Sequence, residues 1–278
     1  MHKQINCGGK ILDLRRPQVM GILNVTPDSF SDGGQFVKPE KALEQARQMV
    51  RDGAAIIDVG GESTRPGAKA VSLNQELDRV IPIIEAISNE LDTIISIDTS
   101  KADVMQEAHK AGAGLINDVR ALQEENALQV AYQTGLPVCL MHMQGMPRSM
   151  QNNPIYENVC EEVTLFLQDR MEACIKKGMA KSNIILDPGF GFGKTLQHNL
   201  TLLAHISELK GLGAPILIGL SRKSLLQTIT NKPVKERLSG SIALAVIGAL
   251  NGGTIFRVHD VDQTLDALKV VNAILEIG

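Results

Sequence analysis

The chain has 278 residues and a nearly balanced charge, 28 Lys and Arg against 31 Asp and Glu, for a net charge of −3, which argues against a surface built for nucleic acid. Its four cysteines, at 7, 139, 160 and 174, form no CxxC pair and no metal-ligand spacing, so a disulfide framework and a zinc site are disfavoured and a reducing compartment is expected. No stretch approaches the ~18 continuous apolar residues of a membrane span, and the opening MHKQINCGGK lacks the apolar run of a signal peptide; the expectation is a soluble, cytoplasmic protein with no membrane partner.

Short apolar runs recur along the chain between longer stretches with helical spacing. The first strand, 19–23, ends at Asn24 and releases a Pro-, Asp-, Ser- and Gly-rich loop with Phe30 near its middle. Helix 39–52 leads to strand 55–59, helix 73–91 to strand 94–97, and helix 101–111 to the short strand 115–116. Helix 126–133 precedes strand 138–141, and helix 157–177 precedes strand 184–186. Helix 199–210 leads to strand 216–218; helices 223–231 and 234–250 lead to strand 254–258, and helix 263–276 closes the chain. Eight strands alternating with helices imply a parallel sheet, and eight units in this length favour one α/β domain over residues 1–278, a closed (β/α)8 TIM barrel. The strands are continuous apolar runs, as expected where both faces are covered.

In such barrels the active site forms at the C-terminal ends of the strands. Those ends carry Asn24, Asp58, Asp98, Asn117 with Asp118, His142, Asp187, the run from Gly219 through Lys223, and Arg257 with His259. Each has a plainer reading. Asp98 is a candidate helix cap and Asp187 a turn starter. Asn117 and Asp118 are candidates for satisfying turn backbone, Asp118 and His142 are taken as structural, and Asp58 stays open between a core group and a ligand support.

Two features point to a ligand. Arg65, Arg222, Lys223, Arg257 and His259 crowd the proposed rim of a mildly acidic chain, and loops after the seventh and eighth barrel strands are frequent phosphate sites. Asp98 and Asp187, which only accept, with the amide of Asn117, which also donates, would suit a flat heterocycle rich in N–H groups. The run Gly189–Lys194 lacks the spacing of a P-loop. Its Phe190 and Phe192, flanked by Gly, are expected in a lid or wall stacking on an aromatic ligand rather than in the core.

These residues lie in a set of long motifs: GILNVTPDSFSDGG (21–34), DVGGESTRPGA (58–68), SIDTSK (96–101), INDVR (116–120), CLMHMQG (139–145), LDPGFGFGK (186–194), SRKS (221–224), RLSGS (237–241) and RVHDV (257–261). In this order they resemble the bacterial dihydropteroate synthases nearly end to end, with no departure inside them. The resemblance implies condensation of 4-aminobenzoate with 6-hydroxymethyl-7,8-dihydropterin diphosphate, releasing diphosphate, in folate synthesis. It assigns Asp98, Asn117, Asp187 and Lys223 to the pterin, with Met141 and Gly219 lining its slot. It assigns Asn24 to Mg2+ with the diphosphate, Arg257 and His259 to the diphosphate itself, and Thr64, Arg65, Pro66, Phe190 and Ser224 to the aminobenzoate site. Phe30 and Arg65 would sit on closing loops, and a homodimer is implied.

The chemistry expected is a dissociative, SN1-like substitution. Asn24, Arg65, Asp98, Lys223, Arg257 and His259 are the catalytic candidates, and no general base is needed because an aniline-type amine is neutral near pH 7. A pterin-binding methyltransferase barrel would share the Asp98 and Asn117 anchors but has no use for Arg257 with His259. A silent pterin- or anion-binding regulatory barrel is the alternative outside enzymes.

Overall fold

The computed structural model describes residues 4–26, 39–63, 70–145 and 150–277. Eight parallel strands form the barrel: β3 (Gln18–Asn24), β4 (Ile56–Gly60), β5 (Ile94–Asp98), β6 (Leu115–Asp118), β7 (Val138–Met141), β8 (Ile184–Asp187), β9 (Leu217–Ile218) and β10 (Ile255–Val258). Their order is β8-β7-β6-β5-β4-β3-β10-β9. The two-residue β9 meets β8 through a single parallel bridge, Leu186 with Ile216, helped by the Leu186 amide donating to the Pro215 carbonyl at 2.9 Å. That bridge closes the circle.

The helices are α1 (Pro39–Arg51), α2 (Leu73–Glu90), α3 (Ala102–Ala111), α4 (Ala127–Thr134), α5 (Val159–Lys177), α6 (Leu196–Ala204), α7 (Ser224–Thr230), α8 (Leu238–Leu250) and α9 (Val261–Leu275). Local chemistry starts and stops them. A reciprocal pair of bonds between Ser72 and Gln75 caps α2, and the Asn158 side chain accepts from two amides at the start of α5. The expected helix 199–210 is instead α6 followed by a 3-10 segment, Ile206–Leu212, because His205 leaves helical geometry between them.

Alternation along the strands sorts every side chain. Ile57, Val59, Ile95, Ile97, Ile116, Val138, Leu140, Ile184 and Leu186 face outward into one core shared with the helices. Met20, Ile56, Ile94, Leu115, Cys139, Ile185, Leu217 and Ile255, one from each strand, face inward at the N-terminal end of the barrel. That end is plugged by an antiparallel hairpin which the sequence reading did not include: β1 (Gln4–Cys7) and β2 (Lys10–Asp13). Ile5, Cys7 and Leu12 of the hairpin are buried against the ring of eight. Gly8 and Gly9, at φ +63° and +97°, make its two-residue turn, a conformation costly for residues with a Cβ. The signal was present, a Gly-Gly pair between two alternating tetrapeptides.

Candidate active site

Beyond the apolar ring, the inward positions of several strands turn polar. Asp58 and Arg257 lie two residues beyond Ile56 and Ile255, Asn117 two beyond Leu115, and Asp187 two beyond Ile185; Asp98 and His259 lie four beyond Ile94 and Ile255. A pocket of about 60 Å³ at the C-terminal end is lined by Asp98, Asn117, Met141, Asp187, Phe190, Gly219, Lys223, Arg257 and His259 together with Ile22, Val119, Phe192 and Ser221. Nine of the residues singled out from sequence thus share one wall. Phe192, expected in a lid or wall, and Ser221, within the strand-end run from Gly219, join them there, whereas Ile22 and Val119 were not foreseen; Ile22 was recoverable from parity, being midway between Met20 and Asn24. A larger cleft of about 850 Å³ opens over the ends of β4–β6 and shares only Asp98 and Val119 with this pocket. The smaller one holds the chemistry, because Asp187, Lys223, Arg257 and His259 converge there.

Arg257 organises the centre. Its Nε donates to Asp58 Oδ2 at 2.6 Å and its Nη2 to Asp98 Oδ2 at 2.7 Å, while Asn117 Nδ2 donates to Asp58 Oδ2 at 3.3 Å. Asp58 is fully buried, which settles it as a support beneath the pocket. Arg257 is therefore not the free rim cation expected from sequence; it neutralises two carboxylates inside the barrel. Its Nη1 makes no hydrogen bond to the described residues. Burial raises the Asp98 carboxyl above the usual carboxylate range, with Arg257 opposing. Asp98 caps no helix, since α3 starts from Lys101 without a side-chain cap.

Asp187 accepts from the Gly189 amide through Oδ1 at 2.7 Å, and burial raises its pKa too, against that bond and the charge of Lys223. A Cβ on Gly219 would lie 4.0 Å from Asp187 Oδ2, so the glycine keeps the slot beside that oxygen open. Lys223 Nζ lies 4.1 Å from the centroid of the Phe192 ring, a cation–π distance. Burial pushes the Lys223 ammonium down to about 8, with Asp187 opposing. Ser221 Oγ accepts from the His259 amide at 3.2 Å and lies 3.1 Å from its Nδ1.

Other expectations fall differently. Phe190 and Phe192 line the pocket as a wall and not as a lid; they are also packed, 1 % and 8 % exposed, because the turn that carries them folds inward over β7. Arg222 is paired with Asp260, Nε to Oδ2 at 3.0 Å, and so is spent structurally. Asp118 and His142 have outward parity and structural partners. Asp118 accepts from Ser100 Oγ and from the amides of Arg120 and Leu122, and His142 stacks edge-on against Phe166 at 4.9 Å. Asn24 ends β3 outside the pocket lining, and a Cβ on Gly60 would lie 3.8 Å from its Oδ1 and 3.6 Å from Asp98 Cβ, so it flanks Asp98 across that glycine. Ser224 is exposed at the first residue of α7. Phe30, Thr64, Arg65 and Pro66 lie outside the described residues.

The residues fit Mg2+ only with a substrate present. The described residues contain no group of three or more His, Cys, Asp or Glu able to cage a metal, whereas one amide oxygen at Asn24 suits an ion that keeps its waters and takes phosphate oxygens.

The family model described as "Pterin binding enzyme" matches residues 20–259. The dihydropteroate synthase of Haemophilus influenzae is 54 % identical over 270 residues, covering 97 % of this chain and 98 % of that protein. The Yersinia pestis dihydropteroate synthase, solved as a sulfonamide drug complex, superposes with a TM-score of 0.94 at 53 % identity, covering 98 % of this chain and 99 % of that one. The Xanthomonas albilineans enzyme in complex with 7,8-dihydropteroate superposes at 0.90 with 42 % identity, covering 98 % of each chain.

Proposed function

The chain belongs to the pterin-binding enzyme family and, within it, to the dihydropteroate synthases, and from that premise we propose how its residues divide the work of joining 4-aminobenzoate to (7,8-dihydropterin-6-yl)methyl diphosphate. The observation that carries the division is the inward pocket in which acceptor groups and cations face each other. Asp187, with Oδ2 beside the open slot at Gly219, and Asp98 accept from the donor edge of the pterin. Asn117 adds an amide, and Met141 and Phe190 line the slot.

Bond breaking leaves charge on the departing diphosphate. Arg257, already fixed by two carboxylates, presents Nη1 to it without reorganising, the condition under which electrostatic stabilisation is worth most. His259 is held beside it by Ser221. Mg2+ held at Asn24 would neutralise diphosphate charge when bound. Arg65 is assigned to the same charge and Lys223 to the pterin by the family motif. The electron-rich dihydropterin spreads the cation left at its methylene, which makes the substitution SN1-like, and the amine needs only to be positioned. Thr64, Pro66, Ser224 and Phe190, with Phe30, would hold the aminobenzoate.

A homodimer is supported by α8. This helix, LSGSIALAVIGAL, carries no charged residue, although it lies on the outside of the barrel. Its outward stripe includes Ile247 and Leu250, 42 % and 50 % exposed, and the neighbouring α9 adds Val270 and Ile274, 62 % and 58 % exposed. A second copy of this chain is the fitting cover for such a face. Ile247→Glu should shift sedimentation to the monomer; an unchanged profile would remove the argument.

The decisive assay supplies both substrates and Mg2+ and follows diphosphate and dihydropteroate together. Diphosphate release should require 4-aminobenzoate and match product one to one. Pterin binding without release would return the methyltransferase-type or silent-barrel reading.

A further inference from the structure

We infer that Lys194 is the positioning residue of the pterin pocket, holding the turn 189–194 from beneath so that Asp187 and Lys223 stay aimed at the ligand. The inference deepens the synthase reading and rests on it. Lys194 is buried, 3 % exposed, and its Nζ reaches three acceptors: His142 Nδ1 at 2.8 Å, the Gly189 carbonyl at 2.9 Å and the Phe192 carbonyl at 3.1 Å. Burial holds the His142 imidazole neutral, pushed down to about 2, so its Nδ1 serves as an acceptor for an ammonium that can only donate.

The turn has little stiffness of its own. Gly189, Gly191 and Gly193 sit at φ +68°, +79° and +60°, and glycine loses the most conformational freedom on ordering. It must also lie close against the end of β7, since a Cβ on Gly189 would fall 1.8 Å from the His142 carbonyl oxygen. Side chains have to pin it: Asn199, Gln151 and Tyr156 hold the backbone of Gly191 and Gly193, and the buried ammonium of Lys194 holds the Gly189 and Phe192 carbonyls behind Asp187 and Lys223.

Two consequences reach the ligand. The Gly189 carbonyl is held by Lys194 while the Gly189 amide holds Asp187 Oδ1, leaving Oδ2 to the slot. The Phe192 carbonyl is held by Lys194 while the Phe192 ring supports Lys223 Nζ. One cation that never meets the substrate thus sets the two charges that do. The cost of burying it is visible in the ammonium itself, pushed down to about 7 by desolvation with Asp187 opposing.

The test is Lys194→Met, assayed for steady-state kinetics and for equilibrium binding of a bare dihydropterin. KM for the pterin diphosphate should rise about tenfold, the equivalent of one charge-assisted hydrogen bond. Dihydropterin binding should weaken by the same factor, while kcat at saturation stays within roughly threefold. A lower melting temperature with unchanged pterin KM would mark Lys194 as structural only and overturn the inference. Should that variant not fold, His142→Phe removes one of the three acceptors and keeps a ring against Phe166; it should shift pterin KM in the same direction, and no shift overturns the inference equally. Wild-type enzyme that made no dihydropteroate would instead refute the synthase reading itself.

Discussion

Replacing Arg257 by Met should reveal how much of the barrel's interior depends on one guanidinium. The substitution keeps length and apolar volume but strands Asp58, fully buried, and Asp98, whose side chain is 10 % exposed. Removing one partner of a buried pair costs about 3–5 kcal/mol, because the remaining charge keeps its desolvation penalty. With an unfolding entropy of about 2.1 cal/mol/K per residue, the 278 residues give roughly 0.6 kcal/mol/K, or about 1.7 °C per kcal/mol. The melting temperature should therefore fall by roughly 5–9 °C near pH 8. Sign matters here. Asp98 already has a folded pKa raised above its unfolded value, and without Arg257 that pKa rises further. The penalty is present above the folded pKa and is relieved as pH falls through it, so the deficit should shrink between pH 8 and 5.5. Adding Asp58→Asn should restore part of the loss by removing the stranded charge. Thermal melts of wild type, both single variants and the double variant at the two pH values form a complete cycle. A deficit below about 1 kcal/mol, or one independent of pH, would refute the claim that Arg257 is the partner on which the two buried carboxylates depend.

Pterin affinity should follow a bell in pH. Its acid limb reports Asp98 losing charge well above the usual ~4 of a carboxylate, and its alkaline limb reports Lys223 losing charge near 8; calorimetric titration from pH 5.5 to 9 checks it, and a flat profile would contradict both assignments. Asp98→Asn should weaken the pterin by about 10–100-fold, the loss of one ionic acceptor, and remove the acid limb. Ser221→Ala should leave the melting temperature within a few degrees of wild type, because only bonds to His259 are lost, yet raise KM for the diphosphate substrate several-fold; unchanged kinetics would show that His259 needs no alignment. All four cysteines are buried and unpaired, and burial raises the Cys7 and Cys139 thiols, so a thiol reagent should modify none of them quickly until denaturant is added; rapid modification of any one would contradict its placement.

Much of this was legible in the chain because barrel strands are simple. Short apolar runs ending in polar groups located all eight strands, and nine proposed ligand residues fall in one pocket. What the one-dimensional reading did not weigh was parity. Counting twos from Ile56, Ile94 or Ile255 places Asp58, Asp98 and Arg257 inside the barrel, whereas His142 and Asp118 fall on the helix-facing side. The fate of the cations was harder to foresee. Arg222 and Arg257 look alike in a list of basic residues, but one meets Asp260 and the other meets Asp58 and Asp98 across 38 and up to 199 residues, and no local pattern encodes such pairings. The aromatic residues of the glycine-rich turn stand in the pocket wall as expected, but their packing was missed for a related reason. Glycine neighbours suggest looseness, yet they are what permits the turn to lie against the backbone of β7, and its bonds come through space from Asn199, Gln151 and Tyr156 as well as from Lys194 at the end of the same motif.

The hairpin at the N-terminal end of the barrel bears on how the chain is made. Gln4–Asp13 precede every barrel strand in the chain, and the hairpin can form before them, since its partners are neighbours and its turn is two glycines. Its apolar face, however, is covered by one residue from every barrel strand, the last of them Ile255. Until β10 has been synthesised, Ile5, Cys7 and Leu12 have an incomplete seat, and non-local contacts of this span form slowly. A nascent chain truncated before β10 should expose this face to a chaperone, and release should coincide with the arrival of Ile255. A hairpin that precedes all eight barrel strands is sheltered only when the last of them arrives.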